Sequence, residues 1–79
     1  MTDDKYLNEI NTLLSSIIHN EDLELSFDDS ADTVEGWDSL AHIHLILGIE
    51  KKFNIKFSIT DTMGLQNISE LIELIKSKV

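Results

Sequence analysis

Ser39 has the most suggestive position for covalent chemistry of any side chain in this sequence. It lies in the segment Gly36-Trp37-Asp38-Ser39-Leu40, where an acidic loop passes into a helix-compatible run. A phosphodiester formed on its hydroxyl would lie at a helix N-terminus, where free N–H groups and the positive end of the helix dipole stabilise negative charge. Asp and Ser are also common N-cap residues, so the pair alone does not distinguish a modification site from a cap.

A nucleophilic hydrolase is the first alternative, because His42 follows Ser39 by three residues and Asp38 precedes it. The sequence lacks the Gly-x-Ser-x-Gly elbow of such enzymes, and 79 residues leave little room for a cleft that excludes water. We therefore expect no catalytic residue and no enzyme activity. His42 is interpreted as a partly buried structural residue, and His44 as an exposed one.

Metal binding is the second alternative. His42 and His44 are two residues apart, so they point to different sides of a helix. The acidic stretch from Asp28 begins like a calcium-binding loop, but an EF-hand needs Gly at its sixth position and Glu at its twelfth, where this chain has Thr33 and Ser39. The chain also has no Cys for a Cys-based zinc site. We therefore expect no metal site.

Helical periodicity predicts three main helices and one short helix. In chain order, the predicted helices are residues 4–19, 38–53, 60–63 and 67–78. A long loop joins the first two helices, and residues 54–59 are predicted to be an extended connector because a lone strand has nothing to pair with. The sequence thus predicts an all-α fold, a small helical bundle in a single domain of residues 1–79.

The second predicted helix has two apolar faces. At about 100° per residue, its apolar side chains fall into two arcs that are roughly opposite each other. The first arc, which we assign to the core, contains Leu45, Ile46, Ile49 and Phe53. The second arc contains Leu40, Ile43 and Leu47. It lies next to Ser39, and core, cargo cleft and partner surface are all open interpretations.

The charge of the chain is strongly acidic. Fifteen acidic residues against six lysines and no arginine give a formal net charge of −9, and residues 20–38 contain eight acids and no lysine. This charge repels nucleic acid and anionic membranes and favours basic partners, although an acidic loop is often only a solvated surface. No apolar run approaches the roughly 18 residues of a membrane span, and the N-terminus is polar, unlike a signal peptide. We expect a soluble, cytoplasmic monomer.

The whole chain resembles the acyl carrier protein family. Asp38-Ser39-Leu40 matches the family's attachment motif, and the Gly-Trp pair before it is found in many members. Phe53 stands where the family closes its second helix, and the two later helices match the family's third and fourth. The three-residue motif is the specific part of this resemblance, while length, helix spacing and acidity support it.

The resemblance implies that a phosphopantetheinyl transferase moves the 4'-phosphopantetheine of coenzyme A onto Ser39, between Asp38 and Leu40. The terminal thiol of this arm then bears acyl groups as thioesters for acyl-loading and acyl-processing enzymes. The carrier itself catalyses nothing. By the same resemblance, the face that meets partners or cargo consists of Leu40, Ile43, His44, Leu47 and Glu50.

This face differs from that of the family's fatty acid synthesis members, whose second helix is densely acidic. Several positions that are often Asp or Glu there are occupied by Ala41, His44, Lys51 and Lys52. We therefore favour a dedicated carrier of a specialised pathway, making a polyketide, a nonribosomal peptide or a modified lipid or sugar, over a general fatty acid carrier. The alternative is an acidic helical module that docks partners non-covalently and would not need Ser39.

Overall fold

The computed structural model contains four helices: α1 (Thr2–Ile18), α2 (Ser39–Phe53), α3 (Ile59–Met63) and α4 (Ile68–Lys78). It describes residues 2–79, with the side chains of Thr2, Ile59 and Met63 left aside. Within this part of the chain there is no β-strand, so the all-α prediction is confirmed. Each predicted helix end lies within two residues of the observed one. No helix among the described residues is long and apolar enough to span a bilayer.

Side-chain caps fix the starts of the two shorter helices. Ser58 caps α3, because its hydroxyl accepts from the Asp61 N–H at 3.1 Å and the Asp61 carboxylate accepts from the Ser58 N–H at 3.1 Å. This capping box has the expected Ser-x-x-acid spacing but was not predicted. The predicted capping box of α4 is half confirmed: Asn67 accepts from the Glu70 N–H, but the Glu70 carboxylate accepts from the N–H of Gln66, one residue earlier than predicted.

The core is formed by one stripe from each of the three longer helices. Its buried helical side chains are Ile10, Leu14, Ala41, Leu45, Ile49, Ile68, Leu71, Ile72 and Ile75. Leu45 and Ile49 are fully buried, which confirms the core assignment of the first arc of α2, whereas Ile46 and Phe53 are only partly buried. The loop and the connector add Leu25, Val34, Trp37 and Ile55.

The loop between α1 and α2 is held by hydrogen bonds rather than by periodic structure. The Asn11 amide donates to the Leu23 carbonyl at 2.9 Å and accepts from the Leu25 N–H at 2.7 Å, which pins the loop to α1. The Asp29 carboxylate accepts from the Ser26 N–H at 2.8 Å, and this hydrogen bond lowers the pKa of Asp29. The loop is therefore an ordered part of the scaffold.

The same loop also satisfies the free N–H groups at the start of α4. The Ile68 N–H donates to the Asp29 carbonyl at 2.8 Å, and the Ser69 N–H donates to the Phe27 carbonyl at 3.0 Å. Helix N-termini leave such N–H groups without an intrahelical acceptor, so the loop replaces water there. The loop that leads to Ser39 is thus attached to both the first and the last helix.

Candidate modification site

Ser39 is the first residue of α2, and its side chain is exposed. The preceding residue, Asp38, is the N-cap: its carboxylate accepts from the Ala41 N–H at 2.8 Å. Within the described part of the chain, the Ser39 hydroxyl has no hydrogen-bond partner. The structure therefore gives the capping role to Asp38 and leaves the Ser39 hydroxyl accessible.

Gly36 explains how the chain turns into this helix. Its φ of +91° lies in the region that L side chains rarely adopt, and a Cβ there would lie 3.4 Å from the Ile18 Cβ. Trp37 follows this turn with its side chain only 6% exposed. The turn and the buried indole fix the chain immediately before Asp38 and Ser39.

An open groove of about 700 Å³ lies beside Ser39. The loop, the start of α2, α3 and the segment after α3 line it through Ala31, Asp32, Trp37, Asp38, Ser39, His42, Ile43, Thr62 and Leu65. A long group attached to Ser39 therefore has a surface to lie against on one side and solvent on the other.

His42 of α2 contacts both the loop, through Trp37, and α3, through Thr62. The Trp37 Nε1–H donates to His42 Nδ1 at 3.3 Å, and the two rings are stacked at 6.0 Å between centroids. Burial lowers the pKa of His42 below its ordinary value of 6.5. Its hydrogen bond to the Thr62 backbone raises the pKa, but by less than burial lowers it. The interpretation of His42 as a partly buried structural residue is confirmed, and its hydrogen bonds give no support to a serine hydrolase.

The stability of the protein should therefore decrease on mild acidification. Because unfolded His42 takes up a proton at a higher pH than folded His42, its contribution is complete above about pH 6.5 and is lost as the pH falls through the folded pKa. We expect the melting temperature to fall between about pH 7.5 and about pH 5.5.

Two variants test the source of this pH dependence. The melting temperature of His42→Gln should fall less steeply with decreasing pH than that of the wild type. His44→Gln changes an exposed residue of the same helix and should keep the wild-type dependence of melting temperature on pH. Thermal melts in matched buffers would measure this. Equal slopes for the wild type and His42→Gln would show that other groups cause the pH dependence.

The second apolar arc of α2 lies on the surface. Leu40 is 64% exposed, and Ile43 and Leu47 are each 56% exposed. His44 is exposed as well, as the sequence predicted. Glu50 is half-buried, and its carboxylate accepts from the Phe57 N–H at 2.7 Å, so it also holds the connector. The core interpretation of this arc is therefore wrong, and the cargo and partner interpretations stay open.

The placement of Ala41 on this face is wrong. Its side chain is 6% exposed and belongs to the core stripe with Leu45 and Ile49, which follow it at intervals of four residues. Lys52 forms an ion pair with Glu9 of α1 at 2.8 Å. Of the four non-acidic positions singled out in the sequence, His44 and Lys51 are exposed and form no ion pair with any residue that the structure describes.

Comparison with known proteins gives consistent matches. The family model described as "Phosphopantetheine attachment site" matches residues 8–75. The acyl carrier protein of Cyanidium caldarium is 27% identical over 79 residues, which cover 100% of this chain and 92% of that protein. The solution NMR structure of the holo acyl carrier protein from Geobacter metallireducens has a TM-score of 0.83 and 27% identity, over 92% of this chain and 84% of that one.

Proposed function

This chain belongs to the acyl carrier proteins, which bear a covalent 4'-phosphopantetheine, and we propose that Ser39 is its attachment residue. The protein is a carrier and not an enzyme, and its function depends on a phosphopantetheinyl transferase and on the enzymes of its pathway. When bound, the arm supplies a terminal thiol that holds acyl groups as thioesters.

The observation that supports this assignment is the Ser39 hydroxyl, which is exposed and has no hydrogen-bond partner among the described residues. Because Asp38 caps α2, modification of Ser39 removes no hydrogen bond that starts the helix. In the transfer, the Ser39 oxygen gives its proton to a base of the transferase and forms the new P–O bond, while the P–O bond inside the diphosphate of coenzyme A breaks and adenosine 3',5'-bisphosphate leaves. The resulting negative charge lies at the N-terminus of α2, and the adjacent groove accommodates the arm.

The face beside Ser39 is proposed to meet partner enzymes or cargo. Leu40, Ile43 and Leu47 supply its exposed apolar surface, with His44 beside them. Glu50 is proposed to contribute at the far end, although its carboxylate also holds the connector. Apolar helix faces of this kind commonly bind in grooves of partner proteins.

We further propose a specialised pathway rather than general fatty acid synthesis. His44 and Lys51 support this proposal because they expose a neutral or positive side chain where fatty acid carriers concentrate acids. Charges at the rim of an interface steer association and exclude wrong partners. The cytoplasmic location, the monomeric state and the single carrier domain over residues 1–79 stay predictions.

Kinetics with a ketoacyl synthase of general fatty acid synthesis would test the pathway. Loaded with the same acyl chain, this protein should give a kcat/KM about tenfold or more below that of the host's fatty acid carrier, because electrostatic steering changes association rates by about 10- to 1000-fold. Equal kcat/KM values would restore the general fatty acid role.

The mass of the protein isolated from its native cell would identify the cargo. A carrier should show the mass of the arm together with that of an acyl group. An unmodified mass from cells that contain an active transferase would favour the non-covalent docking module instead.

A further inference from the structure

The surface beside Ser39 carries opposite charges at its two ends. Asp32 and Asp38 are exposed and line the groove at the Ser39 end. Lys51 and Lys56 are exposed at the other end of α2, where they line a second depression of about 380 Å³ together with Leu47. In a protein with a net charge of −9, this local positive charge stands out.

Lys51 and Lys56 are available to a partner. Within the described residues, neither lysine has a carboxylate within 4.0 Å, whereas Lys52, Lys76 and Lys78 each form an ion pair inside the protein. Glu50 lines the same depression, with its carboxylate bonded to the Phe57 N–H. Two lysines against one carboxylate leave this end positive.

The two charged ends are far enough apart to act separately. Ser39 and Lys51 are twelve residues apart on one helix, which corresponds to about 18 Å at a rise of about 1.5 Å per residue. This distance exceeds the Debye length of about 8 Å at physiological ionic strength. The exposed apolar residues of α2 lie between the ends. We call this surface, with Asp32 and Asp38 at one end and Lys51 and Lys56 at the other, the divided face.

We propose that the divided face docks an acyl-processing enzyme that is basic at its active-site entrance and acidic about 18 Å away. The proposal rests on the proposed function, because the arm on Ser39 defines which end meets the entrance. Docking in this direction pairs opposite charges at both ends, whereas the reversed direction brings like charges together. A partner that is basic along its whole docking site meets repulsion from Lys51 and Lys56.

A charge swap between carrier and enzyme tests this proposal. The probe is a ketoacyl synthase of general fatty acid synthesis, compared with a variant of it in which the basic residues farthest from its entrance are replaced by Glu. The carriers are the wild type, Lys51→Glu and Lys56→Glu. The matched control is Lys5→Glu, which makes the same charge change at an exposed position of α1.

The wild-type carrier should prefer the synthase variant that carries the Glu replacements over the unmodified synthase by about tenfold in kcat/KM. Lys51→Glu and Lys56→Glu should each reduce or reverse this preference, while Lys5→Glu should retain it. The preference should shrink between about 50 mM and about 500 mM salt.

Two outcomes separate this inference from the proposed function. All carriers are first loaded with the arm and an acyl chain, and their intact masses are checked. A protein that takes up no arm would overturn the proposed function and the inference together. Two results with loaded carriers would overturn the inference alone. In one, Lys5→Glu changes the preference as much as Lys51→Glu and Lys56→Glu do; in the other, the wild-type carrier prefers the unmodified synthase.

Discussion

Replacing Ser39 with Ala should abolish attachment of phosphopantetheine, whereas the wild-type protein should gain one arm. Incubation with coenzyme A, Mg²⁺ and a broad-specificity transferase, followed by intact mass measurement, would show both results. The physical reason is accessibility: the Ser39 hydroxyl is exposed at a helix start and has no partner among the described residues. The loss should be complete because the attachment motif Asp38-Ser39-Leu40 occurs once in the sequence.

Other serines serve as controls because the scaffold already uses their hydroxyls. Ser26 is hydrogen-bonded to the Asp29 carboxylate, Ser30 accepts from the Asp32 N–H, and Ser58 caps α3. Ser26→Ala and Ser30→Ala should therefore still be loaded once. Peptide mapping that placed the arm on one of these serines, or found none in the wild type, would contradict the assignment of Ser39.

Ile49→Ala should destabilise the protein by about 2–5 kcal/mol, since the Ile49 side chain is fully buried and its removal leaves a cavity. Small domains have a total stability of roughly 0.05–0.15 kcal/mol per residue, so this variant should lose a large part of its free energy of unfolding. Urea unfolding monitored by circular dichroism would measure the change.

Leu47→Ala is the matched control on the same helix. It also shortens an aliphatic side chain, but Leu47 is 56% exposed, so the loss of stability should be clearly smaller. Phe53 is less suited to this test because it is only partly buried, against Tyr6 at 5.5 Å between ring centroids. If Leu47→Ala were as damaging as Ile49→Ala, the division of α2 into a core face and an exposed face would be wrong.

The parts of the fold that depend on local periodicity were predictable. The helix ends follow from apolar spacing and from caps such as Asp38 and Asn67, which act on residues three positions away. Pinning of the loop by apolar residues was predictable, and Leu25 and Val34 are buried. The hydrogen bonds that hold it were not, because Asn11 bonds to Leu23 and Leu25, which follow it by 12 and 14 positions. An amide on a helix gives no local signal of such distant partners.

Ala41 shows a different kind of error. Leu45 follows it by four positions, which places the two side chains about 40° apart on a helix. Periodicity therefore supports the buried position that the structure gives to Ala41. The resemblance to fatty acid carriers led to the opposite assignment because it compared residue types at a position without the helix angle.

The hydrogen bonds from the loop to α4 have a consequence for protein synthesis. The Asp29 and Phe27 carbonyls receive their partners, the N–H groups of Ile68 and Ser69, only when the last helix has been made. On the ribosome, α1 and α2 emerge earlier, but the loop that leads to Ser39 cannot complete its native contacts until α4 folds onto it. A transferase that recognises the folded site would therefore act on the carrier late, after α4 has left the ribosome and folded.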